Sequence, residues 1–273
     1  VAADNAGNYE AAPLHNDTIC GYDATPPTSS IDTITPYWTT TPLTITATVN
    51  GTISGVKNVT LYARYSTDNT TWGGWTTIGT DTMTPWSWDM NFSNGSGFYQ
   101  FYSLATDEAT NTEPNRGIAT AQCGYDPTAP TSSVDAISSY WKRSSPQTIT
   151  ATASDLISGI RYLMLYYYNS NDNTTWTGPW AYGINTTDAY SWIFTFPDDT
   201  GYYRFYSIAT DKAGNNEAAP ILNDTSCGYD TTSPVSAVEN STYYWATKSP
   251  LAPAGRSYGT QSLRVIFREI LSL

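Results

Sequence analysis

The sequence contains an internal repeat, and this repeat restricts the possible folds more than any other feature. The stretch GFYQFYSLATDEATNTE, residues 97–113, returns as GYYRFYSIATDKAGNNE, residues 201–217, and the chain begins with a shorter version, VAADNAGNYE. The two full copies lie about 100 residues apart, which is the length of one immunoglobulin-type sandwich. The sequence therefore predicts a tandem array of small modules instead of one large domain.

Each full copy predicts a β-strand that ends in a tight turn. Residues that could face a core alternate with other residues along both copies, and they are Tyr99, Phe101, Ser103 and Ala105, then Tyr203, Phe205, Ser207 and Ala209. A period of two is typical of a strand. The following Asp, Gly and Asn favour a turn because Gly and Asn tolerate positive φ and Asp bonds its own backbone. Together with other alternating segments, these strands predict an all-β fold of tandem immunoglobulin-like β-sandwich modules with about seven strands each.

Aligning the repeats predicts the module boundaries. We expect a truncated preceding module to contribute its last hairpin at 1–22, complete modules to span 23–125 and 126–229, a third module to start at 230–250, and an anomalous tail to follow at 251–273. The tail breaks the repeat, so we interpret it as a frameshifted or truncated end, with a short genuine helix as the alternative. Because residue 1 falls inside a repeat, we expect the natural N-terminus to lie further upstream.

Composition excludes several function classes. The chain has 24 acidic and 12 basic residues, a net charge of -12, so a nucleic-acid partner is not expected. A single histidine, His15, excludes a catalytic triad or zinc site repeated through the array. No apolar run is long enough to span a bilayer, and the first residues lack signal-peptide features. We therefore expect no enzyme activity and no direct membrane insertion of this segment.

The three cysteines occur once per repeat, in the motif CGYD, and they are Cys20, Cys123 and Cys227. Equivalent residues in successive modules are too far apart for a disulfide, which needs Cα atoms within about 7 Å. We interpret them as small hydrophobic residues near a strand end, and an intermolecular disulfide is the alternative.

Acidic residues predict a candidate calcium site at one pole of the second module. In this sandwich type, the start of strand A, the B–C loop and the F–G turn share one pole, and calcium takes six to eight oxygen ligands from such loops. The candidate ligands are Asp126, Asp155, Asp211, Asn215 and Glu217. The alternative is that Asp in a turn bonds local backbone. Asn50 replaces Asp155 in the first module, so the corresponding site there should be weaker. Calcium aside, no cofactor is expected.

Pairs of tryptophans near Gly residues, in the connection after the third long strand, provide a second candidate site. These residues are Trp72, Trp75, Trp176 and Trp180. Aromatic rings on a loop can stack on sugars, which predicts carbohydrate binding, whereas packing over the edge of the sandwich is the alternative.

Asn-x-Ser/Thr sequons predict glycosylation if the chain is secreted. The candidate acceptors are Asn58, Asn69, Asn91, Asn173, Asn185 and Asn223. Chance occurrence in a chain rich in Asn, Thr and Ser is the alternative.

Three motifs of this chain resemble those of known repeats. They are the ATD-x-AGN-x-E signature ending at Glu217, with variants ending at Glu10 and Glu113, the D-x-T-x-P-T-S-S opening at 126–133, and TITATASD at 148–155. They are similar to tandem bacterial and archaeal immunoglobulin-like, or fibronectin-III-like, repeats of surface or secreted proteins. This resemblance implies an extracellular β-sandwich array without catalytic residues.

We therefore expect a non-enzymatic stalk or surface-binding segment of a larger extracellular or cell-surface protein. The alternatives are carbohydrate-binding accessory modules of a secreted hydrolase and a subunit of an extracellular filament. Expected partners are neighbouring modules of the same chain, glycans, other cell-surface proteins, or further copies through self-assembly.

Overall fold

The computed structural model describes residues 1–11, 18–51, 53–115 and 117–236. The chain divides into two units, Val1–Thr232 and Ser233–Leu273. The expected tail at 251–273, and all of the expected third module beyond residue 236, lie outside the described residues. In the described ranges the secondary structure consists of sixteen β-strands, which confirms the all-β prediction.

The first module, residues 23–125, contains eight strands in two sheets. The strands are β1 (Thr28–Ile31), β2 (Trp38–Thr39), β3 (Leu43–Asn50), β4 (Val56–Ser66), β5 (Thr76–Asp81), β6 (Ser87–Met90), β7 (Gly97–Asp107) and β8 (Ala121–Tyr125). One sheet has the order β1-β3-β6 and the other β2-β8-β7-β4-β5. All pairs are antiparallel except β2 with β8, which is parallel.

The second module, predicted at 126–229, repeats this topology, and its last strand continues one residue further, to Asp230. Its strands are β9 (Thr131–Val134), β10 (Trp141–Lys142), β11 (Gln147–Ser154), β12 (Ile160–Ser170), β13 (Thr177–Asn185), β14 (Ser191–Phe194), β15 (Thr200–Asp211) and β16 (Thr225–Asp230). The sheets have the orders β14-β11-β9 and β10-β16-β15-β12-β13. Two packed sheets per module are the architecture expected of tandem immunoglobulin-like sandwiches.

The strand beyond the predicted seven is the two-residue strand β2 or β10, and the CGYD motif explains its position. A Cβ on Gly124 would lie 2.2 Å from the ring of Trp38, and a Cβ on Gly228 would lie 2.5 Å from the ring of Trp141. The glycine of this motif therefore gives the indole room to lie on the last strand. This close approach brings β2 and β10 into parallel pairing.

Each module has its own hydrophobic core. The predicted inward residues of β7 and β15 are all buried, and they are Tyr99, Phe101, Ser103, Ala105, Tyr203, Phe205, Ser207 and Ala209. Around Phe101 the first core includes Leu61 and Trp88, and around Phe205 the second includes Leu165 and Trp192. The two clusters share no residue, so each sandwich buries its own apolar surface.

A tyrosine hydroxyl fixes the corner before β7. The hydroxyl of Tyr99 donates to the carbonyl of Gly95 at 2.7 Å, which is the tyrosine-corner contact. In the second module the Tyr203 hydroxyl instead accepts from the amide of Asp198 at 3.3 Å and lies 3.4 Å from its carboxylate. Burial raises the pKa of both tyrosines.

Two of the three cysteines are core residues, and each lies in the last strand of its module. Cys123 and Cys227 are free and buried, and burial raises the pKa of the Cys123 thiol to about 12 and that of Cys227 to about 11. These thiols are therefore unreactive at neutral pH. Cys20, the copy of this residue in the N-terminal segment, is exposed.

Candidate functional site

Three aspartates from three separate loops meet at one pole of the second module. Asp126 follows β8 directly, Asp155 follows β11, and Asp211 ends β15. One carboxylate oxygen from each lies within 4.8 Å of the others. Asp126 and Asp211 are fully buried, and Asp155 is half-buried. The structure thus brings together the three acidic residues that the topology argument placed at this pole.

Backbone amides orient these carboxylates. Asp126 accepts hydrogen bonds from the amides of Thr128 at 3.1 Å and Ser158 at 3.0 Å. Asp155 accepts from the amide of Gly159 at 2.7 Å. The alternative interpretation, that these residues bond their local turns, therefore also describes part of their role. Hydrogen bonds from the backbone amides fix the positions of the carboxylate oxygens, but the negative charges of the three carboxylates stay close together.

The close approach of the charges has an electrostatic cost. Two unit charges about 4.8 Å apart repel by about 3 kcal/mol in an environment of effective dielectric constant 20. The cluster contains three such pairs when all three carboxylates are ionised. A divalent cation at this pole would convert that repulsion into attraction, which is the chemical basis of the calcium prediction.

The other two predicted ligands have different roles. The side-chain amide of Asn215 donates to the carbonyl of Asp126 at 2.8 Å and to the carboxylate of Asp211 at 2.7 Å, so Asn215 contacts the cluster as a donor. Glu217 does not belong to the carboxylate group. Its carboxylate accepts from the amide of Ser132 at 2.8 Å and the amide of Ala209 at 3.0 Å, which fastens β9 to β15.

The first module has the same framework with one carboxylate fewer. Asp23 accepts from the amides of Thr25 and Ser54, each at 3.0 Å, and Asn111 donates to the carbonyl of Asp23 at 3.0 Å. Asp107 accepts from Asn111, as Asp211 accepts from Asn215. The third position, which directly follows the strand as Asp155 does, is Gly51. Asn50 pairs with Thr28 as Ser154 pairs with Thr131, so the expected correspondence of Asn50 with Asp155 is wrong by one residue.

Asp126 also connects the two sandwiches. Its amide donates to the carbonyl of Thr39 in the first module at 2.9 Å, whereas its carboxylate bonds backbone of the second module. It directly follows Tyr125, the last residue of β8. The candidate cation site therefore lies at the junction between the modules.

One arginine, Arg64, covers both tryptophans of the candidate pair in the first module. The guanidinium carbon of Arg64 lies 5.1 Å from the ring centre of Trp72 and 4.6 Å from that of Trp75. Arg64 also donates twice to the side-chain carbonyl of Gln100, at 2.9 and 2.6 Å. Trp75 packs edge-on against Tyr102, with ring centres 4.5 Å apart. These contacts favour packing on the outer face of the sheet as the role of Trp72 and Trp75.

The second module arranges its tryptophans differently. The guanidinium carbon of Arg204 lies 3.8 Å from the ring centre of Trp176. Trp180 lies within β13, so the predicted position in the connection before this strand is wrong for Trp180. It is 53% exposed. The arginine contacts were absent from the sequence prediction, although Arg64 of β4 and Arg204 of β15 were the available signal.

The predicted glycan acceptors differ in accessibility. Asn69 and Asn173 are exposed in equivalent turns with φ of 59°, and Asn91 is also exposed. Half-buried acceptors are Asn58, Asn185 and Asn223. The side-chain nitrogen of Asn185, the atom that would carry a glycan, donates to the carbonyl of Ser191 at 2.7 Å. Glycosylation stays a prediction, and the exposed turns are its best positions.

Comparison with known proteins gives structural likenesses alone. No protein-family model and no curated protein matches the sequence. Fibronectin(III)-like modules of CbhA from Clostridium thermocellum match with a TM-score of 0.38 and 17% identity, covering 74% of this chain and 94% of that chain. The FN1–FN3 domains of chicken CNTN1 match with a TM-score of 0.31 and 14% identity, covering 75% and 66%. Within the described ranges, no helix is long and apolar enough to cross a membrane.

Proposed function

We propose that this chain is a non-catalytic, extracellular array of sandwich modules that acts as a stalk or a surface-binding segment. The observation that carries this proposal is the junction at Asp126, where one residue bonds both sandwiches and no linker intervenes. Independent cores let each module fold by itself, and so short a connection restricts bending between them. The net charge of -12 keeps the surface soluble.

Small-angle scattering on the chain tests the stalk proposal. A compact globule of 273 residues would have a radius of gyration of about 19 Å, so an extended pair of modules should exceed this value clearly. A matched variant carries a flexible Gly/Ser insertion between Tyr125 and Asp126, which should broaden the distribution of intramolecular distances. A radius close to the compact value, or a distribution that the insertion leaves unchanged, would contradict a stiff junction.

A second candidate function, calcium binding at the junction, is favoured by the three carboxylates within 4.8 Å. Calcium at one hundred times its dissociation constant would stabilise the second module by about 2.7 kcal/mol, which corresponds to roughly 10–20 °C in melting temperature. Titration calorimetry and thermal unfolding with calcium and with chelator measure both effects. The absence of binding heat together with an unchanged melting temperature would remove this candidate.

The two modules supply matched variants for the calcium experiment. Asp155→Asn removes one of the three carboxylates but keeps a side-chain oxygen that can accept from the amide of Gly159, so calcium binding should weaken while the turn is retained. Gly51→Asp places a carboxylate at the equivalent position of the first module, where Asp23 and Asp107 are already present, and should strengthen binding there. Equal calcium binding by all three proteins would show that this third position does not hold the ion.

A further inference from the structure

The outer face of the five-stranded sheet of the second module carries a cleft of about 230 Å³. The cleft has aromatic walls from Trp176, Tyr168 and Tyr206, and Asn223 adds a polar group. Arg204 is the one charged residue of the lining among the residues that the structure describes. Pockets for drug-sized ligands have volumes of roughly 300–1,000 Å³. The cleft is somewhat smaller than these pockets, and its size suits a ligand of about one sugar ring.

The guanidinium of Arg204 is available to a ligand. It stacks on Trp176. Among the described residues it makes no hydrogen bond and no ion pair. Arg64 of the first module is different, because its guanidinium already donates twice to Gln100. The second module therefore presents a half-buried cation held in place by an aromatic ring, with donor groups still to be satisfied.

The two arginines occupy neighbouring positions of the same framework. Arg64 of β4 lies opposite Gln100 of β7, and the equivalent pair in the second module is Tyr168 of β12 opposite Arg204 of β15. The arginine has thus moved across one strand pair while keeping its contact with the tryptophan of the same loop. In the second module no glutamine faces the arginine as Gln100 faces Arg64, and the residue opposite Arg204 is Tyr168.

The chemistry of the lining selects the class of ligand. In the described part of the chain no acidic residue lines the cleft, although the chain carries a net charge of -12, so the local field there favours an anion. The planar guanidinium binds a carboxylate with two parallel hydrogen bonds. Tyr168 and Tyr206 lie at a tilt with ring centres 6.1 Å apart, and such rings pack against the apolar face of a sugar.

We propose that this cleft binds a uronic acid residue of an acidic glycan, with its carboxylate on Arg204 and its ring against the tyrosines. The proposal goes beyond the stalk function and concerns the second module alone. It also separates Trp176, a wall of the cleft, from Trp72 and Trp75, which Arg64 covers.

The test uses the whole chain, produced without N-glycans so that Asn223 is unmodified. Methyl β-glucuronide is titrated while the tryptophan indole signals are followed by NMR, with methyl β-glucoside and acetate as matched probes. We expect the glucuronide to shift the Trp176 signal and to bind at least tenfold more tightly than either probe. Equal binding of the glucoside, or equal binding of acetate, would overturn the proposal.

Two variants locate the binding site. Arg204→Gln installs the residue that the first module holds at Gln100, so the fold is preserved, and glucuronide affinity should fall at least tenfold. Arg64→Gln makes the same chemical change in the first module and should leave the affinity unaltered. Retained binding in Arg204→Gln, or an equal loss in both variants, would refute the assignment of the site.

Discussion

Glu217 lies in the repeat signature, and its removal should destabilise the second module without affecting cation binding directly. Its carboxylate accepts hydrogen bonds from the amides of Ser132 and Ala209 and from the Ser132 hydroxyl. These bonds join β9, the first strand of the module, to β15 in the opposite sheet. Glu217→Ala would leave the amides of Ser132 and Ala209 without their acceptor, because the alanine side chain has no oxygen that can replace the carboxylate.

The cost follows from the number and type of these bonds. A hydrogen bond to a charged group contributes about 1.5–3 kcal/mol, but Glu217 is half-buried, so water replaces part of what is lost. We therefore expect a loss of about 3 kcal/mol in the free energy of unfolding. For a module of this size, that loss lowers the melting temperature by roughly 10–20 °C.

Differential scanning calorimetry of the full chain in the presence of chelator measures this loss, because chelator removes any contribution from a bound cation. The first module provides the matched variant Glu113→Ala, whose carboxylate accepts from Ser29 at 2.9 Å but from the amide of Ala105 at 3.4 Å. Its effect should be somewhat smaller. The structural role of Glu217 would be refuted if Glu217→Ala lowered the free energy of unfolding by less than about 1 kcal/mol in chelator. If the same variant also lost calcium binding, Glu217 would be a ligand of the ion.

Two further predictions concern the core and the pH dependence of the second module. Phe205→Ala should cost about 3–5 kcal/mol because Phe205 is fully buried, and it should lower one calorimetric transition while the other, from the first module, stays in place. Burial raises the pKa of Asp224, whose carboxylate accepts from the amides of Val134 and Ser207. The free energy of unfolding should therefore fall as pH rises from the ordinary aspartate pKa near 3.9 through the raised pKa of Asp224. Asp224→Thr copies Thr120 of the first module and should remove that fall, which unfolding curves recorded between about pH 3 and 7 would measure.

Much of the fold could be predicted from local pattern. The alternation in β7 and β15 determines which side chains face the core, and those residues are buried as predicted. The meeting of Asp126, Asp155 and Asp211 required more, because these residues are distant in sequence. Knowledge that three loops share one pole of a sandwich was sufficient to bring them together.

The roles of Glu217 and Arg204 could not be predicted in the same way. Each role depends on a contact with a residue distant in sequence. Glu217 accepts from the amide of Ser132 in β9, and Arg204 stacks on Trp176 in the connection before β13. Residue type alone left Glu217 equally suited to bind a cation or a backbone amide. The position of its two amide donors decides between these roles, and that position depends on the tertiary structure.

The differences between the two modules, more than their similarities, indicate where ligand-dependent properties should arise. Contacts made by both, such as Glu113 and Glu217 with the first strand, maintain the framework and so cannot distinguish one module from the other. The third acidic position and the place of the arginine do differ, and both changes leave the strand pairing in the same register. A property found in the second module alone must therefore depend on such substituted side chains, which makes the first module the control for each experiment.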